Sequence, residues 1–272
     1  DVEDKKEFAA IVNNFGVRSI LNCAGSCKLK GCELDPQMAN RVNVMGVQSL
    51  LETIDSSDVQ LVHVSIDLVY SGAGQGGYVE SDPTDPVTIY GKTMVQAEEL
   101  IIAERPSSCI LRISLPMGIS FNGHAGAIDW IQSRFAKGKP ATLYFDELRT
   151  PTYVECLNEV IEEVFARRIS GLFHAGGRRQ WSLFQIAQIV NRVGGYDPGL
   201  LQGCPRTDAG PIPPRAGNVT MVSTKLMDVL GRMPFVQWPR TELHWPDSEH
   251  WHFEKSAWRG SPELIRRALY QR

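Results

Sequence analysis

Three continuous apolar segments, separated by helical patterns, constrain the fold of this chain more than any other feature. The segments are VRSILNCAG (residues 17–25), VQLVHVS (59–65) and SCILRIS (108–114). Amphipathic spacing predicts helices around them, for instance Asp4 to Phe15 and Ile89 to Ala103. Strands that are apolar on both faces belong to a parallel sheet covered by helices on both sides. The sequence therefore predicts an α/β fold with a doubly wound, mostly parallel sheet.

Ligands of such sheets bind beyond the carboxyl ends of the strands. The candidate ends are Cys23-Ala24-Gly25, Ser65-Ile66-Asp67 and Ser114-Leu115-Pro116. Changes in composition further along the chain predict three regions. Residues 1–176 form a dinucleotide-binding domain, the Gly-, Pro- and Arg-rich residues 177–240 form a smaller substrate lobe, and residues 241–272 form a Trp-rich tail.

Charge and composition narrow the class of protein. The 272 residues carry a net charge of −3 without a basic run, which argues against a nucleic-acid partner. No apolar stretch reaches the ~18 residues of a membrane helix, so we expect a cytoplasmic protein with reduced thiols. We predict no metal site, because the spacing of Cys23, Cys27 and Cys32 matches no standard zinc motif. The histidines of HWPDSEHWH (244–252) lack a strand or helix to frame a metal.

A glycine-rich segment, YSGAGQGGY (70–78), contains G-x-G-x-x-G at Gly72, Gly74 and Gly77. In a dinucleotide-binding loop this pattern lies between a strand and a helix whose first N–H groups hold the pyrophosphate. Here a strand precedes the glycines, but the following residues contain Pro83 and Pro86 and lack helical spacing. We therefore interpret the segment as a flexible loop and not as a phosphate cradle.

The residues around this loop resemble a known family. The segments VHVSIDLVYSG (62–72) and YVESDPTDPVTIYGKTMVQAEEL (78–100) resemble the extended short-chain dehydrogenase/reductase superfamily, in its dTDP-4-dehydrorhamnose reductase-like branch. That branch includes the regulatory β subunit of methionine adenosyltransferase. The resemblance extends to about Gly231 through supporting segments, which are LNCAG, RVNVMG, LRISLPMG, RTPTYVE and GLFHAGG. It implies an NAD(P)-binding fold of the Rossmann type.

The resemblance also places the start of the chain. Asp1-Val2 is similar to the pair that follows the third strand of the family, near the adenine. The glycine fingerprint and the first three strands would then lie upstream of Asp1. The segment 17–25 would otherwise be an apolar strand at a sheet edge, where aggregation is a hazard. We therefore expect the N-terminal half of the Rossmann domain to be absent from this sequence.

In the family, a Tyr exchanges a proton with the substrate, assisted by a Ser or Thr and by a Lys four residues after the Tyr. The resemblance assigns the Tyr to Tyr90, and the other two positions are Ile66 and Met94. Neither side chain supplies a charge or a useful donor. Lys92 diverges from Tyr90 on a helix, and Ser71 in the glycine loop is the remaining substitute.

The resemblance further implies an NAD or NADP cofactor and a nucleotide-sugar ligand. The predicted cofactor-binding residues are Asp1, Val2, Ala24, Gly25, Asn43, Ser65, Leu115 and Met117. The predicted substrate-binding residues are Asp67, Arg149 and Arg215, where an arginine suits a diphosphate because its guanidinium binds bidentately.

The sequence leaves three functions open. The first is an NAD(P)-dependent 4-keto nucleotide-sugar reductase with a degraded Ser/Thr-Tyr-Lys triad and weak or lost activity. The second is a non-catalytic subunit that binds dinucleotide or sugar nucleotide and regulates a partner, and the third is a truncated relative without function. A homodimer or a regulatory hetero-complex is compatible with the first two.

Overall fold

The computed structural model describes residues 3–54, 58–120, 123, 126–255 and 259–272. Asp1 and Val2, two of the predicted cofactor-binding residues, lie outside this part. Of the helices in the described ranges, none combines the length and apolar character that crossing a membrane requires.

Helices and strands alternate along the chain. The helices are α1 (Lys5–Phe15), α2 (Leu29–Leu34), α3 (Pro36–Asn40), α4 (Gly46–Ile54), α5 (Ile89–Glu104), α6 (Asp129–Ala136), α7 (Val154–Arg167), α8 (Leu183–Gly194), α9 (Thr224–Leu230) and α10 (Pro262–Leu269). The strands are β1 (Ser19–Asn22), β2 (Gln60–Ile66), β3 (Cys109–Ile113), β4 (Pro116–Met117), β5 (Ala141–Tyr144), β6 (Leu148–Arg149), β7 (Thr152–Tyr153), β8 (Gly171–Ala175), β9 (Trp181–Ser182) and β10 (Leu201–Cys204).

The principal sheet contains the predicted apolar strands in the order β1-β2-β3-β8. All three pairings are parallel, so the carboxyl ends of the four strands meet at one edge. Helices cover both faces. Leu61 and Ile110 pack with α1, α4 and α5, whereas Val62 and Leu111 pack with α7 and the C-terminal elements. The predicted doubly wound α/β fold is confirmed.

Local signals place most helix ends where the sequence predicts them. Asp4 caps α1 by accepting the N–H of Glu7, and Gly16 ends that helix in a left-handed conformation. Ser182 and Gln185 form the predicted capping box of α8. The helix predicted from Asp35 onward is instead built from α3, a π-helical turn (Arg41–Met45) and α4.

The C-terminal residues share one core with the principal sheet. A cluster of buried side chains runs from Val62 on β2 through Trp181 and Trp238 to Tyr270 at the end of α10. The tail contributes Trp251 to it, and His252 is also buried. Within the described ranges, no three His, Cys, Asp or Glu side chains are grouped so as to hold a metal ion. The division at residues 176 and 240 stays a prediction.

A buried histidine makes the stability of this fold depend on pH. His63 on β2 is 1% exposed, and its Nδ1 accepts a hydrogen bond of 3.0 Å from Asn22. Burial lowers the pKa of His63 to about 4, whereas an unfolded histidine titrates near ~6.5. Between these values the unfolded chain binds the additional proton, so the free energy of unfolding decreases as the pH falls from ~6.5 toward ~4.

We expect the free energy of unfolding to decrease less in His63→Leu than in the wild-type protein as the pH falls from ~6.5 toward ~4. Urea unfolding of both proteins at several pH values measures their free energies of unfolding. The difference between the two proteins cancels the contribution of the carboxylates, which titrate in both. Equal slopes for the two proteins would show that His63 is not held neutral by the fold.

Candidate functional site

Tyr90 lies half-buried at the edge where the parallel strands end, in the first turn of α5. Two interactions fix the start of this helix. Thr88 accepts a hydrogen bond of 2.9 Å from the N–H of Gly91, and Glu33 on α2 accepts one of 2.6 Å from the N–H of Ile89. A Cβ at Gly91 would lie 2.2 Å from the Leu68 carbonyl oxygen, so only glycine allows this approach. The sequence between residues 88 and 91 therefore determines where Tyr90 sits.

The surroundings of Tyr90 keep its hydroxyl protonated. Burial raises its pKa above the ordinary value for a tyrosine, and the nearby Cys27, Asp67 and Cys32 raise it further. Arg149 opposes the shift, but its effect is smaller. At neutral pH the Tyr90 hydroxyl is therefore protonated, and its raised pKa makes it a weaker acid than an exposed tyrosine.

The two other positions that the resemblance assigns to the triad, Ile66 and Met94, are apolar and packed. Met94 is 5% exposed and belongs to a buried cluster against which Ile66 and Tyr90 pack. The buried members of this cluster are Leu68, Val69, Tyr70, Met94, Ala216, Val219 and Met221. A lysine at position 94 would have to bury its ammonium group among these side chains.

Neither substitute considered from the sequence reaches Tyr90. Lys92 is exposed on the other side of α5. The Ser71 hydroxyl donates to the Asp85 carboxylate over 2.5 Å, and the Ser71 N–H donates to the same carboxylate. Ser71 is therefore held in the glycine loop by Asp85.

The Ser65 side chain on β2 turns toward α5. It is fully buried, and its hydroxyl donates to Glu98 over 2.5 Å. Glu98 also accepts three hydrogen bonds from Arg112, and this ion pair is nearly inaccessible to solvent. A direct contact between the Ser65 side chain and a cofactor, as the resemblance implies, does not fit this placement.

Asn43 lies in the π-helical turn, and its amide is occupied by the protein. Its Oδ1 accepts the N–H of Ser26 at 2.7 Å, and its Nδ2 donates to the Thr93 hydroxyl at 2.9 Å. Thr93 in turn donates to the carbonyl of Tyr90 at 2.9 Å. The predicted cofactor ligand Asn43 thus joins the loop after β1 to the Tyr90 helix, a role that its position in the sequence does not reveal.

Asp67 and Arg149, both predicted to bind substrate, contact each other beside Tyr90. Arg149 Nη1 donates to Asp67 Oδ1 at 2.5 Å, and the Ser114 hydroxyl donates to Asp67 Oδ2 at 2.6 Å. Burial alone would lower the pKa of Arg149, but the carboxylates of Asp67 and Glu147 outweigh it and raise that pKa. Asp67 and Arg149 therefore form a fixed, charged wall of the cleft.

Glu147 extends this wall to the third predicted residue, Arg215. Its carboxylate, 2% exposed, accepts from Arg149 Nη2 at 3.3 Å and from Arg215 Nη2 at 2.6 Å. The Arg215 guanidinium lies 4.7 Å from the centre of the Tyr144 ring. A pocket of about 350 Å³ opens onto Glu147, Arg149 and Arg215, with apolar walls that include Leu115 and Trp130. Sequence reasoning missed Glu147.

The remaining predicted cofactor residues follow the ends of two strands. Ala24 and Gly25 are exposed after β1, where a Cβ on Gly25 would come within 3.3 Å of Asn43 Oδ1. Leu115 is partly buried after β3, and Met117 is fully buried on β4. Ala24, Gly25 and Leu115 thus lie at the edge of the sheet, whereas Met117 offers no accessible side chain.

The glycine loop is fastened to the segment 216–222. The N–H groups of Gly217 and Asn218 donate to Ser71 and Gly72, and the Gly77 N–H donates to the Thr220 hydroxyl. A Cβ on Gly72 would lie 2.5 Å from backbone atoms of the opposing segment. The glycines therefore allow close packing of two backbones.

Alanine substitutions at Gly72 and Gly77 distinguish two reasons for a glycine. One is the close approach of another backbone, and the other is a backbone conformation with positive φ. Gly72 and Gly77 both have positive φ, 68° and 70°, but a Cβ on Gly77 has nothing within 4 Å. We expect Gly77→Ala to cost about 1 kcal/mol of stability through backbone strain alone. Gly72→Ala should cost more, because the opposing backbone must also move. Urea unfolding measures both, and equal losses would contradict the packing role of Gly72.

Comparison with known proteins identifies relatives of this chain. The sequence profile of the family described as RmlD substrate binding domain matches residues 1–242. A dTDP-4-dehydrorhamnose reductase from Aggregatibacter actinomycetemcomitans is 28% identical over 247 residues, 86% of this chain and 82% of that protein. Methionine adenosyltransferase 2 subunit beta from Xenopus laevis is 26% identical over 191 residues, 68% of this chain and 57% of that protein.

A solved structure shares the fold. The dTDP-4-dehydrorhamnose reductase from Bacillus anthracis, crystallised in complex with NADP, superposes with a TM-score of 0.80 at 19% identity. The alignment covers 88% of this chain and 83% of that chain. The resemblance deduced from residues 62–100 is confirmed.

Proposed function

Because the chain belongs to the RmlD substrate binding domain family, we propose that it is a nicotinamide-dependent reductase of a 4-keto sugar attached to a nucleoside diphosphate. The observation that carries this proposal is Tyr90, a protonated phenol half-buried where the parallel strands end. It lies near Cys27 and Cys32, which follow β1, and near Asp67 and Arg149. Related proteins named as dTDP-4-dehydrorhamnose reductases support the choice of substrate class.

The chain's part in the reaction is to orient the ketone and to protonate its oxygen. Tyr90 donates the proton as negative charge develops there, and the buried Asp67–Arg149 pair fixes the position of the sugar. Ile66 cannot donate a second hydrogen bond to the ketone oxygen, and Met94 carries no charge that would assist proton transfer by Tyr90. We propose that turnover is consequently slow compared with a reductase that has the complete triad.

The described residues fit one part of a nicotinamide dinucleotide. Ala24 and Gly25 leave the backbone after β1 accessible, and the exposed end of β1 continues into a shallow cavity of about 170 Å³. The described residues do not include a lysine beside Tyr90 that could bind a ribose hydroxyl. A bound NADH or NADPH would supply the hydride, and Ala24, Gly25 and Leu115 would line its position.

The pocket at Arg215 suits a nucleoside diphosphate. Arg215 lies over Tyr144, and its Nε and Nη2 contact Glu147, so that Nη1 is the nitrogen left for a ligand in the pocket. Arg149 is bound by two carboxylates and is less exposed. An arginine binds phosphate oxygens bidentately, and apolar side chains such as Leu115 and Leu183 line the remaining wall.

Calorimetric titration with dTDP tests this assignment. We expect saturable binding that weakens in Arg215→Leu and persists in Arg240→Leu, a control on an exposed arginine outside the pocket. Equal affinities of the two variants would show that the nucleotide does not bind at Arg215.

A second candidate function rests on Ile66 and Met94. Because both triad positions are packed with apolar side chains, the site can bind its ligands without turning them over. The chain would then act as a regulatory subunit, as the name of the related methionine adenosyltransferase subunit suggests for that protein. Tight binding of NADPH and dTDP without any reduction of a 4-keto sugar would favour this candidate.

A further inference from the structure

Two cysteines with opposite exposure lie on the segment that approaches Tyr90. Cys27 is in the loop between β1 and α2, where its thiol is exposed. Cys32 is on α2 and is fully buried. Both thiols lie near enough to Tyr90 to raise its pKa, and burial raises the pKa of Cys32 itself.

The two cysteines share one peptide group. The Cys32 thiol donates to the carbonyl oxygen of Ser26 over 3.4 Å, and it lies 3.7 Å from the Ser26 hydroxyl. The carbon of that carbonyl is bonded to the nitrogen of Cys27, so the buried sulfur touches the peptide that leads into the exposed cysteine. A disulfide requires Cα atoms within about 7 Å of each other, and the contact of the Cys32 sulfur with the peptide before Cys27 confines the rearrangement that would join the two sulfurs to residues 26–32.

We propose that Cys27 is a site of oxidation by hydroperoxides and that Cys32 is its resolving thiol, so that the two form a reversible disulfide beside Tyr90. Cys27 reacts first because its sulfur is accessible to an oxidant in solution. Cys32 resolves the product because its sulfur already lies against the Cys27 peptide, while its burial protects it from direct oxidation.

The chemistry balances in two steps. The Cys27 sulfur attacks one oxygen of the hydroperoxide ROOH, the O–O bond breaks, and Cys27 sulfenic acid and ROH result. The Cys32 sulfur then attacks the sulfenic sulfur, the S–OH bond breaks, and the Cys32 proton leaves with the hydroxyl group as water. The peroxide has gained two electrons, and a dithiol reductant reverses the reaction by exchange.

The disulfide would change the position of the Tyr90 helix. It removes the hydrogen bond from the Cys32 thiol to Ser26. The N–H of Ser26 donates to Asn43, and Asn43 donates a hydrogen bond to Thr93 on α5. Glu33, next to Cys32, holds the first N–H group of α5. Oxidation would therefore alter the site on which the proposed reductase activity depends. This effect on activity rests on the proposed function, whereas formation of the disulfide does not.

Peptide mapping after peroxide treatment tests the disulfide without any activity measurement. Trypsin separates residues 19–28, with Cys23 and Cys27, from residues 31–41, with Cys32. We expect a cross-linked pair of these peptides that disappears after reduction with dithiothreitol. It should persist in Cys23→Ser and be absent from both Cys27→Ser and Cys32→Ser.

The variants distinguish the outcomes. A cross-link that is lost in Cys23→Ser, or no cross-link while Cys27 is oxidised to sulfinic acid, would overturn the proposal. If turnover of a 4-keto sugar is measurable, peroxide should abolish most of it reversibly in the wild-type protein and not in Cys27→Ser. Turnover that is equal in the cross-linked and the reduced protein would reject the effect on Tyr90, and a protein that forms the cross-link but shows no turnover even when reduced would reject the proposed reductase instead.

Discussion

Replacement of Arg112 with Met is expected to lower the free energy of unfolding by ~3–5 kcal/mol. Arg112 and Glu98 are 5% and 3% exposed, and Arg112 donates to both Glu98 oxygens and to the Tyr70 hydroxyl at 2.7 Å. Without Arg112, the Glu98 carboxylate stays buried beside the Ser65 hydroxyl alone. The charge is then uncompensated in a medium that solvates it poorly, which is the origin of the large cost.

Two further variants identify the cause of this loss. The double variant Glu98→Leu/Arg112→Met should recover much of the stability, because it removes both charges together. Lys5→Met, which breaks a surface pair with Glu52, should cost at most ~1 kcal/mol. Urea unfolding measures all three. An Arg112→Met protein as stable as Lys5→Met would contradict the buried ion pair.

Replacement of Tyr90 with Phe is expected to reduce kcat for a 4-keto nucleotide sugar by ~10²–10⁴. The variant removes the proton donor and keeps the ring that packs against the Met94 cluster, so ligand binding should change little. Tyr78→Phe is the matched control, because Tyr78 packs against the same cluster as Tyr90 but stacks on Tyr70, with 4.0 Å between the ring centres. Equal turnover in the two variants would remove Tyr90 from the mechanism.

Local patterns in the sequence predict the frame of the molecule well. The apolar runs at 59–65 and 108–114 correspond to β2 and β3, and the Ser182–Gln185 capping box begins α8. These features depend on neighbours within a few residues. The helix α2, which carries Cys32 and Glu33, was not predicted, because its six residues are too few to show a period.

The sequence predicts the site residues less completely, because side-chain partners are distant along the chain. The resemblance assigns site roles to Tyr90, Asp67 and Arg149, which are neighbours in the structure, and those roles stay predictions. It does not reveal that Ser65 turns to Glu98, 33 residues away, or that Asn43 is held by Thr93, 50 residues away. Glu147 lies 68 residues from Arg215, and only the folded chain brings them into contact.

The proposed function requires that the native protein reduce a 4-keto sugar with Tyr90 as the proton donor. The decisive measurement is the absorbance of NADPH or NADH during incubation with a dTDP-4-keto-6-deoxy sugar, with product analysis for the 4-hydroxy sugar. We predict slow, enzyme-dependent oxidation of the nicotinamide in step with formation of that product. Saturated binding of both ligands with no product would contradict the reductase and leave a binding subunit in its place.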